Sequence, residues 1–289
     1  MSKAAAKTGS GPIATVAIEQ LFPIDQRIIR DDYAYPILPF GVRAYAWLAR
    51  ADWLRDWMIR ASEKAVPGAW SGFLCRKRYI DDKLTEAIDN ISSVVILGAG
   101  FDTLAYRHPA LANVQVWEVD QPVNIKGKRA QLRKLFGKVP AHAKLVSIDF
   151  DHEDLGAVLT SHGYSLSNST FFVWEAVTQY LTETGIRGTL DFLAKAPAGS
   201  RLVFTYVLKD LIDGKEFYGH EYIYKKTVLK DKSWLYGIDP EEVSKLLGRY
   251  GWRVLEHLGY DELAERYVKP TGRKLPSMAV ERIVYAEKE

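Results

Sequence analysis

A glycine turn after an apolar run is the feature of this sequence with the clearest chemistry. Residues 94–97 are Val-Val-Ile-Leu and lead directly into Gly98-Ala99-Gly100. Glycine lets the backbone approach a ligand where a Cβ would collide, and it tolerates a sharp turn. A dinucleotide site needs a third glycine at position 103, where this chain has Thr103. A Gly-x-Gly pair alone is a weak signal for any one ligand. The type of ligand must therefore be inferred from the neighbouring residues.

Acidic side chains follow three further apolar runs. Asp120 comes about 20 residues after the glycines, Asp149 precedes Phe150, and Glu175 follows Trp174. A carboxylate at the tip of the second strand can accept hydrogen bonds from both ribose hydroxyls of an adenosine ligand. Asp149 can accept from an adenine amino group while the neighbouring ring packs on the base. Because Thr103 replaces the glycine that would accommodate a pyrophosphate, the glycine turn and these acids together predict S-adenosylmethionine as the ligand.

The methionine part of that ligand carries a carboxylate, which needs a cation. Arg76-Lys77-Arg78 lies just before the first strand, and arginine can hold a carboxylate bidentately. We therefore expect Arg76 or Arg78 to be the anchor. The competing interpretation of three consecutive basic residues is a solvated basic surface.

The elements that must position these residues alternate between two patterns. Short apolar runs rich in β-branched residues predict strands at 93–97, 114–119, 144–148, 170–174, 201–207, 252–258 and 279–286. Segments of helical length and composition lie between or before them at 123–136, 185–196 and 240–250. Continuous apolar strands alternating with helices indicate an α/β fold with a mostly parallel sheet covered on both faces.

The region before residue 91 has a different character. Helical spacing of apolar residues predicts a helical segment over 42–65, in which Trp47, Trp53 and Trp57 are interleaved. We expect these rings and Trp70 to pack in the core, with a substrate-lining role as the alternative. Residues 1–90 are predicted to form a helical cap and 91–289 the core, with an aromatic-rich insertion at 208–239.

Composition excludes several classes of protein. The 289 residues are 47% hydrophobic and carry a net charge of +3, which argues against a disordered chain and against nucleic-acid binding. The single cysteine, Cys75, permits no internal disulfide or cysteine metal site, and the histidines have no ligand spacing, so no metal is expected. The chain shows no apolar run of membrane-spanning length and no signal core, so we expect a cytoplasmic protein. The first ten or so residues are expected to be loose.

The motifs together resemble a known family. The run VVILGAGFDTLAYR, followed by WEVDQP and a lysine (Lys126 or Lys128), resembles the leucine carboxyl methyltransferase superfamily, in particular its bacterial polyketide O-methyltransferase branch. The DF pair after the third strand, the WEAVTQYL element and the late GW…ERY segment also match. Leu104 departs from the pattern, since bacterial relatives usually have an arginine there.

The resemblance implies a Rossmann-like class I methyltransferase fold with a seven-stranded sheet and S-adenosylmethionine as cofactor, leaving as S-adenosylhomocysteine. It places the methionine carboxylate at Arg76 and the amino group at Glu175, with Gly98 and Gly100 as the floor. It places the ribose at Asp120. The remaining cofactor-binding residues that we expect are Ala99, Asp102, Gln121, Asp149 and Phe150.

The expected activity is methyl transfer to a carboxyl or hydroxyl oxygen of a small, aromatic or polyketide-like molecule. A carboxylate acceptor needs no general base, whereas a hydroxyl does, and the candidates are Tyr180, Tyr206 and His220. A protein C-terminal carboxyl group is the alternative acceptor. A nicotinamide-dependent oxidoreductase and a non-catalytic cofactor-binding protein are alternatives of another class. Either a monomer or a homodimer is compatible with the sequence, and no nucleic acid or membrane partner is expected.

Overall fold

The apolar runs of the sequence form a single seven-stranded sheet. Its strands are β1 Ser93–Leu97, β2 Gln115–Asp120, β3 Ala143–Ser147, β4 Thr170–Trp174, β5 Arg201–Val207, β6 Trp252–Gly259 and β7 Glu281–Lys288. In the computed structural model, which describes residues 10–289, their order is β3-β2-β1-β4-β5-β7-β6. The first five strands are parallel, and β7 runs antiparallel to both of its neighbours. The expectation of loose residues at the start falls mainly on 1–9, outside this range.

The sheet separates two hydrophobic cores, and β1 shows why its sequence is continuously apolar. Val94 and Ile96 pack into one core, whereas Val95 and Leu97 pack into the other. Successive side chains of a strand point to opposite faces, so a strand covered on both faces must be apolar at every position. The predicted α/β fold with a mostly parallel sheet is thus confirmed.

Helices cover both faces of the sheet and precede it. They are α1 Gly11–Glu19, α2 Phe40–Leu48, α3 Asp52–Ala65, α4 Ala69–Ala87, α5 Leu104–Arg107, α6 Pro122–Phe136, α7 Leu155–Ser161, α8 Glu183–Leu193, α9 Lys209–Ile212, α10 Glu221–Ile223, α11 Val243–Gly248 and α12 Tyr260–Tyr267. Local signals set several ends: α6 begins at Pro122 and stops before Gly137, whose φ is +76°. The Thr182 side chain caps α8 by accepting the Gly185 N–H. Within the 208–239 segment, α9 and α10 are followed by a π-helical stretch, Tyr224–Lys230.

The predicted helical segment 42–65 consists of two helices, α2 and α3, with a break at 49–51. The Arg50 and Ala51 N–H groups donate to the carbonyls of Trp47 and Leu48, three residues earlier. Ala51 is then extended and α3 restarts at Asp52, an acid in the first turn. Neither glycine nor proline marks this break in the sequence.

Core packing is confirmed for Trp70, which is 4% exposed, and wrong for the other three tryptophans of this region. Trp47, Trp53 and Trp57 are 53%, 72% and 59% exposed. In α3 the side facing the core is set by Leu54 and Met58. Trp53 and Trp57 each precede one of these by a single position, which turns them about 100° away around the helix.

A buried acid ties the first helix to the late part of the chain. Glu19 is 0% exposed, and it accepts from the Ile28 N–H at 2.9 Å and from Arg273 Nη1 at 2.7 Å. Next to it, Cys75 is buried, and burial followed by the Glu19 charge raises the pKa of its thiol to about 12. Cys75 is thus a small buried residue of the core.

Two features are absent from residues 10–289, a membrane-spanning helix and a cluster of metal-ligating side chains. No helix there is long and apolar enough to span a bilayer. No group of three or more His, Cys, Asp or Glu side chains within the same range could hold a metal ion.

Candidate active site

The glycine turn has the geometry that its sequence predicts. Gly98 has φ +74° and Gly100 has φ +44°, in the left-handed region that disfavours other residues. A Cβ on Gly98 would lie 2.0 Å from Val177 Cγ2, so no side chain fits there. The N–H groups of Gly98 and Ala99 both donate to the Val119 carbonyl, at 2.8 and 3.0 Å. These bonds hold the turn at the carboxyl end of β2.

Thr103 fixes the same turn from the other side. Its hydroxyl donates to the buried carboxylate of Asp31 and lies 3.1 Å from Arg107 Nη1. The residue that replaces the third glycine of a dinucleotide site thus has a structural role in this chain. It connects the glycine turn to the segment that follows α1.

Asp120 lies directly behind Gly100. Its carboxylate accepts from the N–H groups of Gly100 at 2.5 Å and Gln121 at 2.6 Å, and from Asn124 Nδ2 at 2.8 Å. Burial raises the pKa of this carboxyl, and these hydrogen bonds oppose the shift. About four lone-pair directions exist on a carboxylate, so roughly one remains for a ligand. Beside it, Gln121 Nε2 is buried without a hydrogen-bond partner among residues 10–289.

Five ionised side chains, which we call the ionic cluster, meet next to the glycine turn: Arg76, Lys77, Asp102, Glu175 and Glu281. Glu175 Oε1 accepts from Arg76 Nε at 2.5 Å, and its Oε2 accepts from Lys77 Nζ at 3.1 Å. Arg76 Nη1 lies 2.9 Å from Glu281 Oε2, and Lys77 also pairs with Asp102. All five are at most 12% exposed, so the cluster is held by direct ion pairs rather than by solvent.

Neighbouring charges favour the ionised forms of Arg76 and Asp102 against the effect of burial. Burial opposes the charge of Arg76, but the carboxylates of Glu281 and Glu175 outweigh it and raise the pKa of the guanidinium. Burial likewise opposes ionisation of Asp102, yet Lys77 and Arg107 hold the pKa of that carboxyl well below its usual range. Arg107 also pairs with Asp102 at 3.2 Å and with Asp81 at 2.6 Å, so the connected ion pairs comprise three cations and four carboxylates, with a formal net charge of −1.

The two expected anchors lie in different surroundings. Arg76 is in the cluster, whereas Arg78 is 46% exposed and pairs with Asp82 at 2.9 Å on the outside of α4. Sequence reasoning missed Lys77 and Glu281. Lys77 belongs to the basic triplet 76–78 and could have been included with its two neighbours. No motif in the sequence marks Glu281 on β7.

Asp149 and Phe150 follow β3 at the same edge of the sheet but do not line the cavity described below. Asp149 accepts from His152 Nδ1 at 2.9 Å and from the Asp151 N–H at 3.1 Å. Phe150 is buried in one of the two cores. Their role at the adenine stays a prediction.

A cavity of about 550 Å³ opens beside the glycine turn. Its walls include the ionic cluster and residues 97–100, and the N-terminal helices contribute Ile13, Ser62, Ala65 and Phe73. A further set of mainly apolar side chains, which we call the aromatic wall, comes from the segment after β4 and from the 208–239 segment: Gln179, Tyr180, Tyr222, Ile223 and Trp234. The cavity therefore combines a charged part with an apolar part.

Of the three candidate bases, only Tyr180 lines this cavity. Tyr206 does not line it; its hydroxyl bonds to His257 Nε2 at 2.7 Å, and its ring packs in the core that contains Leu97. His220 is 2% exposed and is also not among the lining residues, and burial lowers the pKa of its imidazole. A catalytic role for any of the three stays a prediction.

The strand order, the glycine turn and the ionic cluster define a class I S-adenosylmethionine-dependent methyltransferase. A solved structure from Thermobifida fusca YX, described as a putative methyltransferase, shares the fold. It matches with a TM-score of 0.59 at 15% identity, over 94% of this chain and 97% of its own.

The chain belongs to the leucine carboxyl methyltransferase family, whose model matches residues 10–194. A Bacillus subtilis (strain 168) protein named "Putative S-adenosyl-L-methionine-dependent methyltransferase YktD" is 30% identical over 216 residues, covering 73% of this chain and 70% of its own. A Mycobacterium avium (strain 104) protein with the same description is 31% identical over 204 residues, covering 69% and 67%. The predicted family, enzyme class and cofactor are confirmed, which sets aside the oxidoreductase and non-catalytic alternatives.

Proposed function

We propose that this methyltransferase transfers the methyl group to an oxygen, carboxyl or hydroxyl, of a small and largely apolar molecule bound against the aromatic wall. The observation that carries the proposal is the division of one cavity between the ionic cluster and the aromatic wall. The helices before residue 91 supply part of its lining, which supports the interpretation of residues 1–90 as a cap. The boundary between cap and core at residue 90 is part of this proposal.

The residues present fit the cofactor. S-adenosylmethionine, when bound, supplies a methyl carbon attached to a positively charged sulfur. Its amino acid part carries a carboxylate and an ammonium group, which match the cations and carboxylates of the ionic cluster. Arg76 and Lys77 would hold the carboxylate, and Glu175 would accept from the ammonium group. The missing Cβ of Gly98 leaves room for Val177 against the turn, and Asp120, which accepts from the Gly100 N–H, would bind the ribose.

The aromatic wall would position the acceptor. Tyr180 and Trp234 pack edge to face with ring centroids 6.4 Å apart, which fixes both ring planes. Apolar side chains exclude water from the acceptor oxygen, and a fixed orientation lowers the entropic part of the barrier. A carboxylate acceptor would need no proton transfer. For a hydroxyl acceptor, Tyr180 is the candidate group within the cavity to orient it or pass on its proton.

The acceptor chemistry is tested with cofactor labelled in the methyl group. Labelled product that releases volatile methanol in mild alkali is a carboxyl ester, whereas an O-methyl ether resists alkali. We expect transfer to small aromatic acceptors in one of these two forms. Label that enters only protein C-termini would support the alternative acceptor, and label found only as N-methyl product would contradict the proposal.

Asp120→Asn is expected to weaken the binding of S-adenosylhomocysteine by at least about tenfold, because a charged acceptor for the ribose hydroxyls is lost. The amide has only one acceptor oxygen, so one of the three hydrogen bonds to position 120 is lost and the ligand-free melting temperature, measured alongside, should fall as well. Calorimetric titration measures the affinity. Asp239→Asn is the matched control, since the exposed Asp239 only caps a short turn away from the cavity. Equal affinities of the wild type and Asp120→Asn would remove Asp120 from the site.

A further inference from the structure

Large apolar side chains are concentrated on the exposed side of α2 and α3. Fourteen large hydrophobic residues of the range 10–289 are exposed, and six of them fall within positions 40–57. We call these six the α2–α3 patch: Phe40, Tyr45, Trp47, Leu48, Trp53 and Trp57. Only the break at 49–51 separates the two helices, so the six residues lie on neighbouring parts of one surface. A cluster of this kind, unlike single exposed apolar residues, marks an interaction surface.

The size of the α2–α3 patch matches one side of a protein interface. Its five aromatic rings are 51–86% exposed. An aromatic side chain offers about 150–250 Å², so the five rings together expose about 500–800 Å². The largest apolar patch on a typical monomer is about 300–600 Å², whereas a standard interface buries about 800 Å² on each partner. The patch is therefore about as large as the surface that each copy contributes to a stable dimer.

The patch combines a groove with side chains that can fill one. An open groove of about 530 Å³ lies beside α2, and its lining residues are Tyr35, Phe40, Arg43, Ala44, Tyr45, Trp47 and Leu48. Trp53 and Trp57 are outside this lining and lie one turn apart on the same face of α3. A cavity of about 150 Å³ already holds a benzene ring, so the groove has room for an indole ring.

The charges beside the patch favour a second copy of this chain as its partner. The exposed charged residues of positions 40–65 are of both signs: Arg50, Arg60 and Lys64 against Asp52 and Asp56. A helix that binds an anionic membrane carries mainly lysine and arginine beside its apolar face. Mixed signs instead allow a surface to complement itself, since a cation on one copy can meet an acid on the other.

We propose that the α2–α3 patch is the interface of a symmetric homodimer, in which Trp53 and Trp57 of each protomer enter the groove of its partner. In a two-fold interface the same surface meets itself, so projecting rings and a groove on one patch satisfy each other twice. Ser62 and Ala65 of α3 line the cavity beside the glycine turn, so the dimer holds one wall of each cavity in place. The inference goes beyond the proposed function and does not depend on the acceptor.

The test is sedimentation velocity on the full chain over a range of micromolar concentrations. We expect a species of twice the chain mass of 32.7 kDa. Leu48→Glu places a charge in the groove, and Trp53→Ala removes a ring that would fill it. Each should raise the dissociation constant of the dimer at least about thirtyfold, as expected for the centre of an interface. Because both side chains are exposed within one chain, the circular dichroism spectrum should stay that of the wild type.

Leu166→Glu is the matched control for Leu48→Glu. Leu166 is 39% exposed against 46% for Leu48, and it precedes β4, at the edge of the sheet opposite the glycine turn. This variant should keep the wild-type dissociation constant. A chain that is monomeric at every concentration, a dimer unchanged in Leu48→Glu and Trp53→Ala, or equal weakening in Leu166→Glu would each overturn the inference. A monomer that co-sediments with phosphatidylglycerol vesicles would also overturn it and would assign the patch to a membrane.

Discussion

Lys128→Met is expected to lower the free energy of unfolding by about 3–5 kcal/mol, the usual effect of breaking a buried ion pair. Lys128 Nζ lies 2.5 Å from Glu118 Oε1, and both side chains are 0% exposed. Burial raises the pKa of Glu118, and Lys128 is the main group that opposes this. Without the ammonium group, a carboxylate is left inside the protein beside the hydroxyl of Tyr106. Urea unfolding followed by circular dichroism measures the loss.

The second variant of this test removes the stranded charge. Glu118→Leu added to Lys128→Met should restore much of the lost stability, because two apolar side chains replace an ion pair at little cost. A loss below about 1 kcal/mol in Lys128→Met alone would show that the pair contributes nothing. A double variant as unstable as the single one would assign the loss to packing rather than to charge.

Gly98→Ala is expected to weaken the binding of S-adenosylhomocysteine by about a hundredfold or more, since tenfold corresponds to about 1.4 kcal/mol. A left-handed conformation costs a non-glycine residue about 1–2 kcal/mol. The new Cβ would also lie 2.0 Å from Val177 Cγ2, so the turn must move away from the position in which it faces the cavity. Calorimetric titration and the melting temperature report the two effects separately.

The chain offers a matched control for the conformational part of this effect. Gly137 has φ +76°, and a Cβ there would meet nothing within 4 Å. Gly137→Ala should therefore lose about 1–2 kcal/mol of stability and keep the wild-type affinity. Adding Val177→Ala to Gly98→Ala removes the colliding methyl and should recover part of the binding. Wild-type affinity in Gly98→Ala would contradict the close approach of backbone and ligand.

The sheet and its glycine turn could be predicted because the signals are local. Continuous β-branched runs end in a glycine or an acid, and the strands Ser93–Leu97, Thr170–Trp174 and Arg201–Val207 have the predicted bounds. The break at 49–51 could not be predicted, because no glycine or proline marks it. The orientation of α3, which exposes Trp53 and Trp57, depends on tertiary packing.

Part of the candidate site could be predicted because its signals, too, are local in the sequence. Arg76, Glu175 and the glycines stand in or beside motifs at strand ends, and the structure brings them together. Glu281 is 205 positions from Arg76 along the chain, so only the antiparallel insertion of β7 reveals the contact. Tyr180 lies in a short helical turn after β4 and Tyr206 on β5, and the sequence alone does not show which of the two side chains faces the cavity.

The charge of the ionic cluster also bears on turnover. Under the proposed function, the cluster faces a cofactor with one net positive charge before transfer and none afterwards, because the sulfur becomes neutral. Charges interact strongly where solvent screens them little, so a site with one net negative charge holds the methylated form more firmly than the spent form. The same side chains that are proposed to hold the amino acid part would thus favour exchange of product for fresh cofactor between catalytic cycles.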